Sequence, residues 1–257
     1  MADGRWQTAD GRWQTADGRH GPSLRSGPGK ARLRPSFTKA SEDKARLLRT
    51  STLNEEPGIT YLTYMFNIIK QSLQKIMPSI SEEEMVFFIS KLEQRTIAKH
   101  DYFVKEGQVA HEMAVVTNGA FRMYFTYQER EQTGHFMFEG QWLGDYESFL
   151  TQKPAMNNVE ALEDSEIFCL SYDNMQALYR LGAHYERFGR LIAEYVYLVA
   201  MNSYKSLLLK TAEERYIELL DTQPNVLERL PQHYIASYLG IQAPSLSRIR
   251  NKLAQKR

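Results

Sequence analysis

The hydrophobic pattern of this chain changes period twice, and that change constrains its fold more than any other feature. From Phe66 the apolar residues Ile69, Leu73 and Ile76 recur at helical spacing, and Pro78 ends the run. Ser81 followed by Glu82, Glu83 and Glu84 predicts a second helix to about Leu92, because an N-cap hydroxyl and first-turn carboxylates complement the free amides there. The period then falls to two. Short runs at 102–104, 112–117, 120–127, 134–139 and 165–171 are rich in aromatic and β-branched residues. Turn signals separate them, of which Asn118-Gly119 is the most specific. Many short strands at near-regular spacing predict a closed or double-sheet β-structure of the jelly-roll kind. After Asp173 helical spacing returns. The expected class is α+β: an N-terminal β-roll (double-stranded β-helix or jelly roll) with flanking helices, a long helix, and a small helical C-terminal domain.

The long helix spans about 186 to 209 and carries Phe188, Ile192, Tyr195, Val199 and Asn202 at alternating three- and four-residue steps. Its middle, 195–201, is apolar all round. A helix apolar on every side must be buried on every side, so those five residues are expected to meet a second copy across a two-fold axis. An ordinary core helix is the alternative.

The C-terminal 26 residues, from Gln232 to Arg257, fit a helix-turn-helix in register. In a window numbered from Gln232, Ala236 falls where the second helix crosses the first, and Gly240 falls at the tight turn. Ile235, Leu239, Ile241, Leu246 and Ile249 fill the apolar positions that hold two such helices together. The second helix should start near Pro244, a residue favoured in a first turn. Its solvent face would then present Ser245, Ser247, Arg248, Asn251 and Lys252, with Arg250 nearby. Arg can read guanine through a bidentate contact, whereas Ser and Lys more often hold phosphates, so Arg248 is the expected base reader. A helical hairpin that packs on another protein is the alternative.

Charge supports the nucleic-acid reading. The net charge is +1, yet residues 232–257 hold five basic side chains (Arg248, Arg250, Lys252, Lys256, Arg257) and no carboxylate side chain. A basic cluster on an acidic body is the footprint of a phosphate-binding surface. Residues 1–64 carry 11 basic and 7 acidic side chains. They also contain ADGRWQT twice, at 2–8 and 9–15, followed by a stretch rich in Gly, Pro, Ser and Arg. Such a stretch buries too little apolar surface to offset chain entropy, so 1–64 is expected to be a disordered extension, with Met65 a plausible start. The domain limits expected from these patterns are 65–174 for the β-roll, 175–210 for the dimerisation helix and 211–257 for the DNA-binding domain.

The order of β-roll, long helix and helix-turn-helix resembles the Crp/Fnr family of bacterial transcription regulators, over about 66–257. The stretches that carry it are GQVAHEMAVVTNGAFRMYF (107–125), LGDYESF (143–149), ALEDSEI (161–167) and IASYLGIQAPSLSRIR (235–250). The resemblance implies a homodimer, a palindromic site on double-stranded DNA, RNA polymerase as a further partner and a small-molecule effector pocket in the roll. That pocket would be lined by Leu143, Gly144, Asp145, Tyr146, Glu147, Asn157 and Asn158. The cyclic-nucleotide-binding members hold the phosphate with an Arg followed by Ser or Thr, and with the amides of a short helix. Here those positions fall near Ala155 and Met156, and no basic side chain lies between Lys153 and the next strand. Cyclic AMP is therefore not the expected effector. A pocket kept only for folding stands beside one for an unknown ligand. The β-hairpin wing that usually follows the reading helix is missing too, since only Ala254 to Arg257 follow Leu253.

Other classes lack their motifs. The single Cys169 excludes an intramolecular disulfide and cysteine-ligated clusters. A metal-dependent cupin needs His-x-His, and His135 is followed by Phe136 and Met137. Nucleophile-elbow and phosphate-loop motifs are absent from the sequence, so no catalytic residue, metal or cofactor is expected. No apolar run is long enough to span a bilayer and no signal peptide is visible, so a cytoplasmic location is expected. A DNA-binding regulator is the leading reading. The alternative is a sensor or protein-interaction dimer that uses the same roll without binding DNA.

Overall fold

The structure is a computed structural model that describes residues 57–255 and two short strands near the N-terminus. Those strands, β1 (Arg5–Gln7) and β2 (Trp13–Thr15), pair antiparallel with Trp6 opposite Gln14. Each comes from one copy of the repeated heptapeptide, so the expectation of disorder does not hold for these residues. The remainder of 1–56 lies outside the described residues.

Helix α1 (Pro57–Ile76) begins ahead of Met65, so the limit expected at 65 falls inside a helix. Met65, Phe66, Ile69, Leu73 and Ile76 are buried, which is the stripe the spacing predicts. Helix α2 (Glu82–Ser90) starts with a full capping box: the Glu84 amide donates to Ser81 Oγ, and the Ser81 amide donates to Glu84.

Eight further strands follow: β3 (Glu93–Ile97), β4 (Tyr102–Val104), β5 (Glu112–Asn118), β6 (Phe121–Tyr127), β7 (Arg130–Met137), β8 (Trp142–Leu143), β9 (Asn158–Ala161) and β10 (Ser165–Ser171). They form two four-stranded antiparallel sheets, ordered β3-β10-β5-β8 and β4-β9-β6-β7. Asn118-Gly119 is not a hairpin turn, because β5 and β6 belong to different sheets. It is the corner where the chain crosses between them. The true hairpin joins β6 to β7 through Gln128 and Glu129, both at positive φ. Strand β7 also starts four residues earlier than its apolar pattern suggests, because its N-terminal half is held by pairing with β6 and faces solvent.

Helix α3 (Tyr146–Thr151) sits between β8 and β9. The helix expected over 175–210 is two helices, α4 (Tyr172–Leu181) and α5 (Ala183–Leu209), which meet at Gly182. At 27 residues, α5 is about 40 Å long. Its N-terminal half packs on the roll and on α2: the Phe188 ring lies 4.6 Å from Phe88 and 6.3 Å from Trp142. Cys169 is buried in β10, and burial pushes its thiol up to about 12.

Four helices complete the chain: α6 (Ala212–Thr222), α7 (Val226–Arg229), α8 (Gln232–Tyr238) and α9 (Ala243–Ala254). They dominate a second apolar core, apart from that of the roll, in which Tyr216, Leu219, Val226, Ile235, Leu239 and Leu246 bury together with Ala120, Phe136, Phe138 and Leu162 of the roll. The segment 211–257 thus packs its own apolar residues against one edge of the roll.

Candidate functional site

Two places bring the expected functional residues together: the C-terminal helix pair and a cavity beside α5. In the helix pair, Ile235, Ala236, Leu239 and Leu246 are buried and Ile241 and Ile249 pack against them. The turn depends on Gly240, whose φ of 65° is the left-handed conformation that L side chains avoid. The Gly240 and Ile241 amides donate back to Ser237 and Ala236, closing the end of α8. Arg215 of α6 supplies a further cap, donating from Nη2 to the Leu239 carbonyl at 2.5 Å.

The six residues expected to meet DNA do not all share one surface. Arg248, Ser247, Asn251 and Lys252 are exposed, while Ser245 and Arg250 are half-buried. Ser247, Arg250 and Asn251 line a groove of about 720 Å³ between α6 and α9, beside Tyr216, Ile217 and Leu220. Lys252 is tied back to α6 by an ion pair with Glu213, Nζ to Oε2 at 2.5 Å. Among the described residues, Arg248 makes no ion pair and stands clear of the groove.

The helix pair docks firmly on the β6–β7 hairpin. Ser237 Oγ accepts from the Thr133 amide at 3.0 Å and donates to the Glu131 carbonyl at 2.7 Å. Arg122 lies beneath with its side chain only 4% exposed, between the Tyr124 and Tyr234 rings at 4.0 and 3.9 Å. It pairs with Glu160 (2.6 Å) and lies 2.7 Å from Glu131. Burial opposes its charge, but Glu160 and Glu131 outweigh that and raise its pKa. On the other side, Arg229 of α7 bridges Glu139 and Glu163 at 2.9 and 2.7 Å. Burial pushes the Glu139 carboxyl up, yet the Arg229 guanidinium and the Gly119 amide hold it below the usual range.

The second place is a cavity of about 720 Å³ between the roll and α5. Of the residues expected to form an effector pocket, Gly144, Asp145, Tyr146 and Asn157 line it. Leu143 is buried in the core, Glu147 is exposed to solvent, and Asn158 turns away, its Oδ1 accepting from the Glu106 amide at 3.0 Å. Sequence reasoning missed most of the wall, including Met113, Met123, Met137, Trp142 and Val196, because it comes from strands and a helix far apart in the chain. The residues expected at a dimer interface divide as well. Phe188 and Ile192 are buried inside their own chain, Tyr195 and Val199 line the cavity, with Tyr195 still partly open to solvent, and Asn202 is exposed. The exposed large apolar residues of α5 are Tyr195, Tyr197, Leu198, Tyr204, Leu207, Leu208 and Leu209; Tyr197, Tyr204 and Leu208 share one stripe, and Tyr204 and Leu207 also edge the cavity.

At the cassette end of this cavity the polar groups are already paired within the chain. Asp145 is 6% exposed and both its carboxylate oxygens are engaged: Oδ1 accepts from the Ser148 amide at 2.9 Å and Oδ2 from Asn157 Nδ2 at 2.8 Å. Asp145 and the Ser148 amide in the first turn of α3 therefore satisfy each other. At the expected arginine position, Ala155 is buried and locked by backbone bonds to Gly107 and Gln108, and Met156 is 75% exposed. His135 is on the wall, and burial lowers its pKa and keeps the ring neutral. Among the described residues, no three His, Cys, Asp or Glu side chains gather to hold a metal ion, and no helix is long and apolar enough to cross a membrane.

Residues 94–181, about a third of the chain, match the family profile of the cyclic nucleotide-binding domain. No curated protein matches the chain. Solved structures do. FixK2 from Bradyrhizobium japonicum is 19% identical with a TM-score of 0.56, over 64% of this chain and 85% of its own. CLP, a c-di-GMP responsive global regulator of Xanthomonas campestris, is 16% identical with a TM-score of 0.54, over 66% and 89%. A cyclic nucleotide-binding domain from Methylobacillus flagellatus is 17% identical with a TM-score of 0.51, over 56% and 82%. At these identities the likeness is one of fold. Residues 94–181 thus match the cyclic nucleotide-binding domain family, and the chain around them has the fold of Crp/Fnr-type regulators.

Proposed function

We propose that this protein is a DNA-binding transcription regulator that works as a homodimer. The observation that carries the reading is the helix pair: α8 and α9 cross over a tight turn at Gly240, and α9 presents a basic, carboxylate-free solvent face. The apolar stripe of Tyr197, Tyr204 and Leu208 on α5 supports a dimer, since an exposed seam at heptad spacing is satisfied by a second copy of itself. A two-fold dimer would read a palindromic site, with its half-sites about one helical turn apart.

The test is selection of bound duplexes from fragmented genomic DNA, followed by affinity measurement across salt. Recovery of a palindrome, with binding that weakens steeply as salt rises, is the expected result. Affinity for DNA that is absent, or insensitive to salt, would favour the sensor or protein-interaction dimer. Within the complex, Arg248→Ala should cost roughly 1–3 kcal/mol at the specific site and relax preference at one base pair. An equal loss on all sequences would make Arg248 a phosphate clamp instead of a base reader.

Lys252 offers a second check, because Glu213 competes with phosphate for it. Glu213→Gln should tighten binding by about threefold at low salt and steepen the salt dependence by about one counterion. Unchanged affinity and slope would show that Lys252 takes no part.

A further inference from the structure

We infer that the groove between α6 and α9 is the docking site of a partner protein, which lays into it an amphipathic helix with carboxylates along one edge of its apolar stripe and cations along the other. The inference goes beyond the regulator reading, and rests on it only where the partner and DNA compete. The walls are α6 and α9, tied near one end by the Glu213–Lys252 ion pair, and the groove measures about 720 Å³. Tyr216, Leu220 and Leu253 give it an apolar floor, while Ile217 and Leu227 are left 39% and 37% exposed along it. Apolar surface framed by polar residues, in a channel between two helices, suits the i, i+3, i+4 and i+7 side chains of a third.

Charge states which helix. Among the lining residues each wall carries one charged side chain, Asp221 on α6 and Arg250 on α9. Arg250 is half-buried, so an occupant can reach it while water is partly kept off, and Asp221 is exposed. Among the described residues, neither side chain makes an ion pair or a hydrogen bond. Burial pushes the Tyr216 phenol up, and the Arg250 guanidinium nearby opposes that shift, which places the cation by the apolar floor. A partly desolvated guanidinium without a partner gains more from a carboxylate than a surface cation does. With Asp221 on the facing wall, the two edges of an inserted helix meet opposite charges, as flanking positions do in paired helices. A phosphate backbone is a poor match, since it brings no apolar side chains for the floor and would face Asp221.

The groove also accounts for Arg250. Its sequence position groups it with the residues expected to meet DNA, yet it turns into the wall. Ser247 and Asn251 are exposed and belong both to that wall and to the expected DNA face. A helix seated in the groove therefore covers part of the surface offered to a duplex, and the two exclude each other.

The test uses the full chain and a fluorescein-labelled synthetic peptide of about fourteen residues, with Leu at i, i+3, i+4 and i+7, Glu along one edge of that stripe and Lys along the other. We expect saturable binding by fluorescence anisotropy, one peptide per chain, with a midpoint in the micromolar range, and none for a peptide of the same composition in permuted order. Ile217→Ser should weaken binding about tenfold while circular dichroism stays at wild-type values. If that variant folds poorly, Leu227→Ser makes the same test from α7. Arg250→Glu should weaken binding about fivefold, and adding Asp221→Lys should restore it, because the helix then lies the other way round. A duplex selected for binding to the full chain should displace the peptide. No saturable binding, equal binding of the permuted peptide, or binding indifferent to both apolar substitutions would overturn the inference. Self-association that is lost in Ile217→Ser would overturn it too, by making a second copy the occupant. Simultaneous binding of peptide and duplex would overturn the exclusion. Peptide binding is measured without DNA, so a chain that takes the peptide and no duplex keeps the groove and loses the regulator reading.

Discussion

Gly119→Ala should destabilise the protein by roughly 3–5 kcal/mol, among the largest effects of any single methyl group added to it. Two costs combine. Gly119 has a φ of 107°, a conformation that strains any residue with a Cβ. That Cβ would also lie 2.1 Å from Ser165 Oγ, 2.6 Å from its Cβ and 2.9 Å from its Cα. The neighbour is backbone at the start of β10, so it cannot simply rotate away. Either β10 shifts or the corner between the sheets opens. Both movements reach the helix pair, because the Gly119 amide donates to Glu139 and Glu139 holds Arg229 with Glu163. Urea denaturation measures the loss. Adding Ser165→Gly should restore the part due to the clash and leave the part due to φ. A cost under 1 kcal/mol would show that the corner relaxes freely.

Arg122→Ala should cost about 3–5 kcal/mol, because it strands a buried carboxylate. The Glu160 side chain is 6% exposed and pairs with Arg122 at 2.6 Å, its other oxygen meeting His100 at 3.0 Å. Removing the guanidinium leaves that charge in a poorly solvated place and empties the slot between Tyr124 and Tyr234. Arg122→Met combined with Glu160→Gln removes both charges and fills the slot, so it should be markedly less destabilised than Arg122→Ala. If the double variant is the worse of the two, the pair is net stabilising beyond its mutual neutralisation. The single variant should also loosen α8 from the hairpin, since Tyr234 is on α8. Faster hydrogen exchange at 234–238 reports that loosening, and exchange at the wild-type rate would confine Arg122 to the roll.

What could be read from the sequence was local. Ser81 with Glu84, the strands at 102–104 and 165–171, Pro244 in the first turn of α9 and Gly240 at the tight turn each state their role within a few residues. The strands that escaped notice lack such a signature. The polar strand β3 faces solvent until Ile97 and is held by pairing with β10, while β9 is buried throughout, with Asn158 and Glu160 spending their polarity on distant partners. The cavity was half visible. Gly144, Asp145, Tyr146 and Asn157 could be found because the loop around α3 resembles a known phosphate cassette, whereas the methionine wall has no pattern along the chain.

The long helix shows most plainly where sequence stops. Its pattern from 188 to 202 is apolar enough to require burial, yet only Phe188, Gly189 and Ile192 are buried within the chain, and spacing alone does not say which residues those are. Phe188 and Ile192 face their own roll, Tyr195 and Val199 line a cavity, and the exposed stripe of Tyr197, Tyr204 and Leu208 meets that cavity's edge at Tyr204. Capping, turn and helix-crossing preferences depend on neighbours a few residues away, so the sequence alone determined the C-terminal helix pair and the class of the fold. Which apolar face meets which surface depends on contacts between elements tens of residues apart, so only the tertiary structure decided the cavity, the exposed stripe of α5 and the docking of the helix pair on the roll.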